Sequence, residues 1–263
     1  MMNKGNDRAE YSLASIHHSS FCTHHLPRAV LFDAVGTLIR PEPSVAAAYA
    51  RVGRRHGIEI AEAEMHGLFR AAMAQQDEID RRLHAGRTSQ ERERERWRGI
   101  VADVFGAAPQ AGAIFDDLWE HFANPQHWQL FDDASGAWQA LAAAGVTIGI
   151  ASNFDDRLDG ICRALTPLSD CRHVFVSSRV GWRKPRPEFF AAIADELGFE
   201  PAEMLLVGDD LENDFRAARA AGWQAVLVER AESSAAGTHT DQEPRASESI
   251  SSLSELLGQV RSA

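Results

Sequence analysis

The stretch Val30–Ile39, VLFDAVGTLI, runs apolar residues into an aspartate, crosses a small turn containing Gly36, and returns to apolar residues. A short, continuous apolar run bounded by turn residues reads as a strand covered on both faces, which puts Asp33 at its carboxyl end. A carboxylate at a strand tip is a plausible reacting group, but many chemistries need a second acid beside it. Two positions on stands Val35.

Outward from this stretch, the segments Ala29–Phe32, Val146–Ile150, Val174–Val176, Met204–Val207 and Ala225–Val228 share the same character, each bounded by Gly, Asp, Ser or Pro. Helical stretches separate them. The expectation is an α/β fold, a doubly wound parallel sheet with a Rossmann-like core. The interval after the first strand is unusually long and reads as wholly helical, with Ser44 as a cap and Gly57 as a stop, a further helix ending at Gly86, and a capping box of Thr88 and Glu91 opening the next. A last helix of this group covers Ile114–Phe122. The Glu/Arg alternation of residues 91–96 reads as a solvated helix face with opposite charges three apart. The expected organisation is a tail over 1–27, a Rossmann-like core over 28–40 and 131–230, a helical cap over 41–130, and a polar tail over 231–263 ending in a short helix. A cap inserted there overhangs the carboxyl ends of the strands, where such sheets bind ligands.

The formal charge of -11 disfavours nucleic acid as a partner, since no basic patch opposes the global field. Apolar runs are strand-length, far short of the roughly 20 residues that cross a bilayer, so no membrane segment is expected. The first residues lack the pattern of a secretory signal, and three cysteines, Cys22, Cys162 and Cys171, form no CxxC pair. A cytoplasmic location is the expectation. His17, His18, Cys22, His24 and His25 lie in a Ser-rich stretch without apolar periodicity, read as disordered with at most adventitious metal binding.

Polar residues stand at four strand ends: Asp33; Ser152 and Asn153; Lys184 after the third strand; and Asp209, Asp210 and Asp214 after the fourth. Taken singly, each is an ordinary turn former or helix cap. In a parallel sheet they lie along one edge, where carboxylates, a hydroxyl and an ammonium form a set suited to a divalent cation and an oxyanion together. Lys184 is the most informative of them. Of 27 basic residues only Lys4 and Lys184 are lysine, and a compact ammonium is not interchangeable with a planar guanidinium.

With these residues in view, the chain resembles the haloacid dehalogenase-like hydrolase superfamily. FDAVGTLI is similar to its first motif, D-x-D-G-T-L; IASN matches the second, KP the third, and VGDDLENDF the fourth, over roughly Arg28 to Arg230. SNFDDRLDGI and GWRKPRPEFF further resemble the branch named for domain-containing protein 3. The resemblance implies a hydrolase in which Asp33 is the nucleophile that forms an aspartyl-phosphate. Ser152, with Asn153, would hold a phosphoryl oxygen, and Lys184 would offset charge. Mg²⁺ would be held by Asp33, Asp209, Asp214 and the carbonyl of Val35. The family's phosphatases carry an acid at position 35 that protonates the leaving oxygen; Val35 keeps only the carbonyl, removing help typically worth about 10²–10⁴-fold.

Three readings stay open. The first is a phosphatase of a small phosphorylated molecule whose leaving group needs little protonation, or one that takes its acid from His56, His66, His84 or His121. The second is a metal-independent 2-haloacid dehalogenase, which also lacks the second acid, though clustered carboxylates without a cation would repel one another. The third is a catalytically silent phosphate- or partner-binding protein. A phosphonate-cleaving relative needs a cap lysine, and no lysine lies between residues 5 and 183. Oligomeric state has no signature in the sequence.

Overall fold

A computed structural model of the chain describes residues 27–106, 108–230 and 249–256. Its elements in order are β1 (Ala29–Phe32), β2 (Ile39–Pro41), α1 (Val45–Arg55), α2 (Glu62–Ile79), α3 (Gln90–Phe105), α4 (Ala111–Ala123), β3 (Trp128–Leu130), α5 (Ala134–Ala143), β4 (Thr147–Ser152), α6 (Arg157–Ala164), β5 (His173–Val176), α7 (Ser177–Val180), α8 (Pro187–Leu197), β6 (Met204–Gly208), α9 (Ala217–Ala220), β7 (Gln224–Val228) and β8 (Ser249–Ile250). A π-helical turn, Asp80–His84, extends α2, and another, Leu211–Arg216, precedes α9.

Six strands form one parallel sheet in the order β5-β4-β1-β6-β7-β8. The chain winds from β1 outward through β4 and β5, then returns to the other side of β1 for β6 and β7. That reversal leaves a crevice at the carboxyl ends of β1, β4 and β6. Side chains alternate across β1 with the period of two that a strand imposes. Val30 and Phe32 join Ile150, Leu205, Val207 and Val226 on one face, while Ala29 and Leu31 join Met204, Leu206 and Phe189 on the other. All four residues of β1 are fully buried, which explains its unbroken apolar run.

Helices α1 to α4 lie between β2 and β3, which pair antiparallel from Ile39 with Leu130 to Pro41 with Trp128. This short ribbon lets the chain leave and re-enter next to the turn after Asp33. The apolar cluster of one sheet face continues without a break into the insert, through Tyr49, Ile100, Ile114 and Phe115.

The five expected strands are present, within a few residues of the bounds read from sequence, and Ser44 caps α1 by accepting from Ala47 N at 3.1 Å. Three expectations are corrected. The cap of α3 is Ser89, which accepts from Arg92 N at 3.1 Å, whereas Thr88 donates to Glu93 Oε1 at 2.7 Å, so there is no Thr88–Glu91 box. The Glu/Arg run is not a wholly solvated face: Glu93 and Arg96 are each 1% exposed. Arg96 pairs with Asp77 and Asp80, Arg92 with Asp80, and Glu93 with Arg183. Helical spacing carries 93 and 96 inward with Ile100, and their partners come from α2 and the β5–α8 connection, which a one-helix charge pattern cannot reveal. Finally, residues 249–256 hold the start of a helix over 253–256, as expected near this end, but are not otherwise a polar tail. Ser249–Ile250 adds the edge strand β8 to β7, and Ile250, Leu253 and Leu256 are buried. The expected tails over 1–26, 231–248 and 257–263, including the His-rich stretch and Cys22, lie outside the described residues. Cys162 and Cys171 are free thiols, and among the described residues no helix is long and apolar enough to cross a membrane.

Candidate active site

Asp33 leaves β1 with its backbone N–H donating to Val207 O at 2.8 Å, so the pairing of β1 with β6 continues to the aspartate itself. Beyond it the chain makes a tight turn in which the N–H groups of Leu38 and Ile39 both donate to Ala34 O at 2.9 Å. Gly36 sits at φ +91°, and a Cβ there would collide with the Asp209 carboxylate. Thr37, fully buried, donates its hydroxyl to Asp209 Oδ1 at 3.0 Å. Gly208 permits a similarly close approach, since a Cβ there would meet Asp214.

Lys184 joins the strand ends. Its Nζ donates to Asp33 Oδ1 at 2.7 Å, Asp214 Oδ1 at 2.5 Å and the carbonyl of Ala151, in β4, at 2.9 Å, which uses all three ammonium protons. Its backbone is clamped by Asn153: Lys184 N donates to Asn153 Oδ1 at 2.8 Å, and Asn153 Nδ2 donates to Lys184 O at 3.0 Å. The loop before it is held by the insert, where Arg183 N donates to Gly86 O at 2.9 Å, Thr88 N to Gly181 O at 3.1 Å, and Arg183 pairs with buried Glu93. Ser152 is buried at the tip of β4, and its hydroxyl has no hydrogen-bond partner among the described residues.

Asp33, Asp209 and Asp214 each offer an oxygen within 4.8 Å of the others. Burial first, and then the charges of Asp33 and Asp214, raise the pKa of Asp209. Asp214 is also raised, chiefly by burial, against the lowering effect of Lys184. Burial would depress the Lys184 ammonium, but Asp214 and Asp33 outweigh it and hold its pKa above the ordinary lysine value. Three carboxylates against one ammonium leave two formal negative charges, the complement of one divalent cation. The donor set is all oxygen, which suits a hard cation such as Mg²⁺.

The structure therefore brings Asp33, Ser152, Lys184, Asp209 and Asp214 to one edge, with Val35 in the turn beside them and its side chain packed on the apolar cluster. The Asn153 side chain fixes the Lys184 backbone. Asp210 turns away to cap the next helix, accepting from the N–H groups of Glu212 and Asn213 at 2.9 Å each. Thr37 was not singled out from sequence, although it stands in the quoted stretch. His56 bonds Asp117 Nε2-to-Oδ2 at 2.8 Å, and His121 stacks on His127 with centroids 3.7 Å apart. Burial, then His127 and Arg51, push His121 down to about 4, so it is neutral at neutral pH and holds no spare proton as an acid.

A family model described as haloacid dehalogenase-like hydrolase matches residues 27–222. The chain is similar to haloacid dehalogenase-like hydrolase domain-containing protein 3 of Danio rerio, 29% identical over 89% of this chain and 96% of that protein. Its similarity to the protein of the same name from Homo sapiens is 31% identity over 76% of this chain and 81% of the other. A phosphoglycolate phosphatase of Xylella fastidiosa (strain 9a5c) is 28% identical, over 77% of this chain and 80% of its own. The solved structure of a defluorinating L-2-haloacid dehalogenase superposes with a TM-score of 0.70 at 23% identity, covering 89% of this chain and 95% of that one, a likeness of fold alone. With four motif segments on one sheet edge and a family model spanning most of the chain, the protein belongs to the haloacid dehalogenase-like hydrolases, in the branch of the domain-containing protein 3 relatives.

Proposed function

We propose that the protein is a Mg²⁺-dependent phosphatase of a small phosphorylated molecule, acting through an aspartyl-phosphate on Asp33. The observation that carries this reading is the group of three carboxylates within 4.8 Å around a single buried ammonium. Without a cation, that concentration of charge raises the pKa values of Asp209 and Asp214 and costs stability for no gain. The phosphatase name of one relative points the same way.

In this reading Asp33 uses the oxygen not bonded to Lys184 to attack phosphorus in line, and the bond to the leaving oxygen breaks as the new P–O bond forms. Ser152 donates its free hydroxyl to one phosphoryl oxygen, while Lys184 holds the nucleophile in place and offsets its charge. Asp33, Asp209, Asp214 and the Val35 carbonyl would hold Mg²⁺, which supplies charge neutralisation for the phosphoryl oxygens. Water then attacks phosphorus and releases Asp33. Val35 offers no proton to the leaving oxygen, so the reading favours leaving groups stable as anions, acyl phosphates foremost. The missing acid is also the observation that keeps a 2-haloacid dehalogenase as the second reading, because halide leaves unprotonated.

Turnover on acetyl phosphate, p-nitrophenyl phosphate and 2-chloropropionate, each with Mg²⁺ and with chelator, separates the readings. The expected result is chelator-sensitive phosphate release, fastest on acetyl phosphate. Chelator-insensitive chloride release makes the protein a dehalogenase, and silence on all three favours a binding role. Independently of turnover, Mg²⁺ at a hundredfold excess over its Kd is expected to add ~2.7 kcal/mol to stability, read as a rise in Tm that Asp209→Asn abolishes. An unchanged Tm in millimolar Mg²⁺ counts against the cation site.

A further inference from the structure

We propose that Arg230 is a positioning residue for the turn after Asp33, and that the C-terminal segment, residues 249–256, latches it there; the inference rests on the phosphatase reading for its Mg²⁺ consequences but not for its structural ones.

The turn's carbonyls are the starting point. Gly36 O and Thr37 O are both taken by Arg230, nearly 200 residues on in sequence. Its Nε donates to Gly36 O at 3.2 Å and its Nη2 to Thr37 O at 2.7 Å. The other edge of the guanidinium meets Asp133, Nη1 to Oδ2 at 3.1 Å and Nη2 to Oδ1 at 2.9 Å. Its plane lies over the Phe131 ring, 3.9 Å from the centroid, and its side chain is 9% exposed. A planar fork with donors on two edges fits two carbonyls and a carboxylate at once; an ammonium does not.

Asp133 is in turn engaged by the C-terminal segment. Ser252 Oγ and Leu253 N both donate to Asp133 Oδ2 at 2.8 Å. Burial alone would raise the Asp133 carboxyl, but Arg230, Ser252 and Leu253 together hold it below the usual range. The segment is anchored by β8 pairing with β7 and by buried Ile250, Leu253 and Leu256. A continuous path of hydrogen bonds therefore runs from Ser252 through Asp133 and Arg230 to the turn, and from Thr37 to Asp209. Such outer contacts set the orientation of groups that face a metal. The residues joined come from five separate stretches of chain, and nothing in the nucleophile motif itself calls for them.

The test uses the full chain with Arg230→Lys and Ser252→Ala, each measured in two ways. Mg²⁺ affinity by calorimetric titration is expected to fall about 10–100-fold for Arg230→Lys and by less for Ser252→Ala, with KM for acetyl phosphate at saturating Mg²⁺ nearly unchanged. Amide hydrogen exchange in the metal-free protein is expected to speed up at Leu38 and Ile39, whose N–H groups close the turn. A lowered Tm with wild-type Mg²⁺ affinity and wild-type exchange at those amides means Arg230 is structural only, and overturns the proposal. Should Arg230→Lys fail to fold, Ser252→Ala decides: unchanged affinity and exchange remove the latch. If the wild-type protein itself binds no Mg²⁺, the phosphatase reading fails on its own account, and the exchange rates alone uphold or overturn the brace.

Discussion

Lys184→Arg, which conserves charge, is expected to lose turnover by about 10²–10³-fold or more, the loss seen when one preorganised donor is taken from a charged reaction site. The ammonium is fully buried between Asp33 and Asp214 and donates a third bond to the carbonyl of Ala151, so a guanidinium has neither the room nor the tetrahedral donor directions to replace it. Steady-state kcat on acetyl phosphate with saturating Mg²⁺ measures the loss, with circular dichroism confirming that the variant folds. Near-wild-type turnover in a folded variant would sink the role given to the lysine. It would also undo the reasoning from composition, in which a chain otherwise committed to arginine keeps lysine at this position.

Val35→Asp is expected to raise the rate on phosphate esters with poor leaving groups, by up to about 10²–10⁴-fold, and to change acetyl phosphate turnover little. The split follows from chemistry: an alkoxide needs a proton as it departs and a carboxylate does not. Position 35 lies in the turn two residues beyond the nucleophile, whereas His56 is engaged by Asp117 and His121 is stacked on His127. The Val35 side chain packs partly against the apolar cluster, so some stability is lost in the variant, and its Tm and Mg²⁺ affinity belong beside the kinetics. Bound Mg²⁺ with no gain on alkyl phosphates would show that position 35 is not where the acid is missing.

Much of the fold was legible because the central strands are covered on both faces and so carry unbroken apolar runs; Ala29–Phe32 needed no correction at either end. The four strand-end segments were legible because a parallel sheet gathers its βα loops on one edge, so residues far apart in sequence are bound to converge. Three things were hidden for physical reasons. The ribbon of Ile39–Pro41 and Trp128–Leu130 is three residues long on each side, below the length at which a period of two can be told from a loop. β8 is shorter still, and follows a polar stretch that gives no sign of a strand beyond it. The engagement of Asn153 with the Lys184 backbone, of Glu93 with Arg183, and of Arg230 with Gly36, Thr37 and Asp133 are pairings between distant segments, and a single sequence carries no record of which polar side chain meets which backbone. Glu93 shows the point sharply. Its neighbours in sequence make it look solvated, and only its distant partner allows it to be buried.

The claim on which the account depends is covalent: Asp33 carries the phosphoryl group. The direct measurement is peptide mass spectrometry of protein mixed with acetyl phosphate and Mg²⁺ and quenched in acid during turnover. A phosphoryl adduct on Asp33, absent with chelator and absent in Asp33→Asn, is the predicted result. Phosphate release with no adduct on Asp33, or an adduct on another residue that persists in Asp33→Asn, would contradict it.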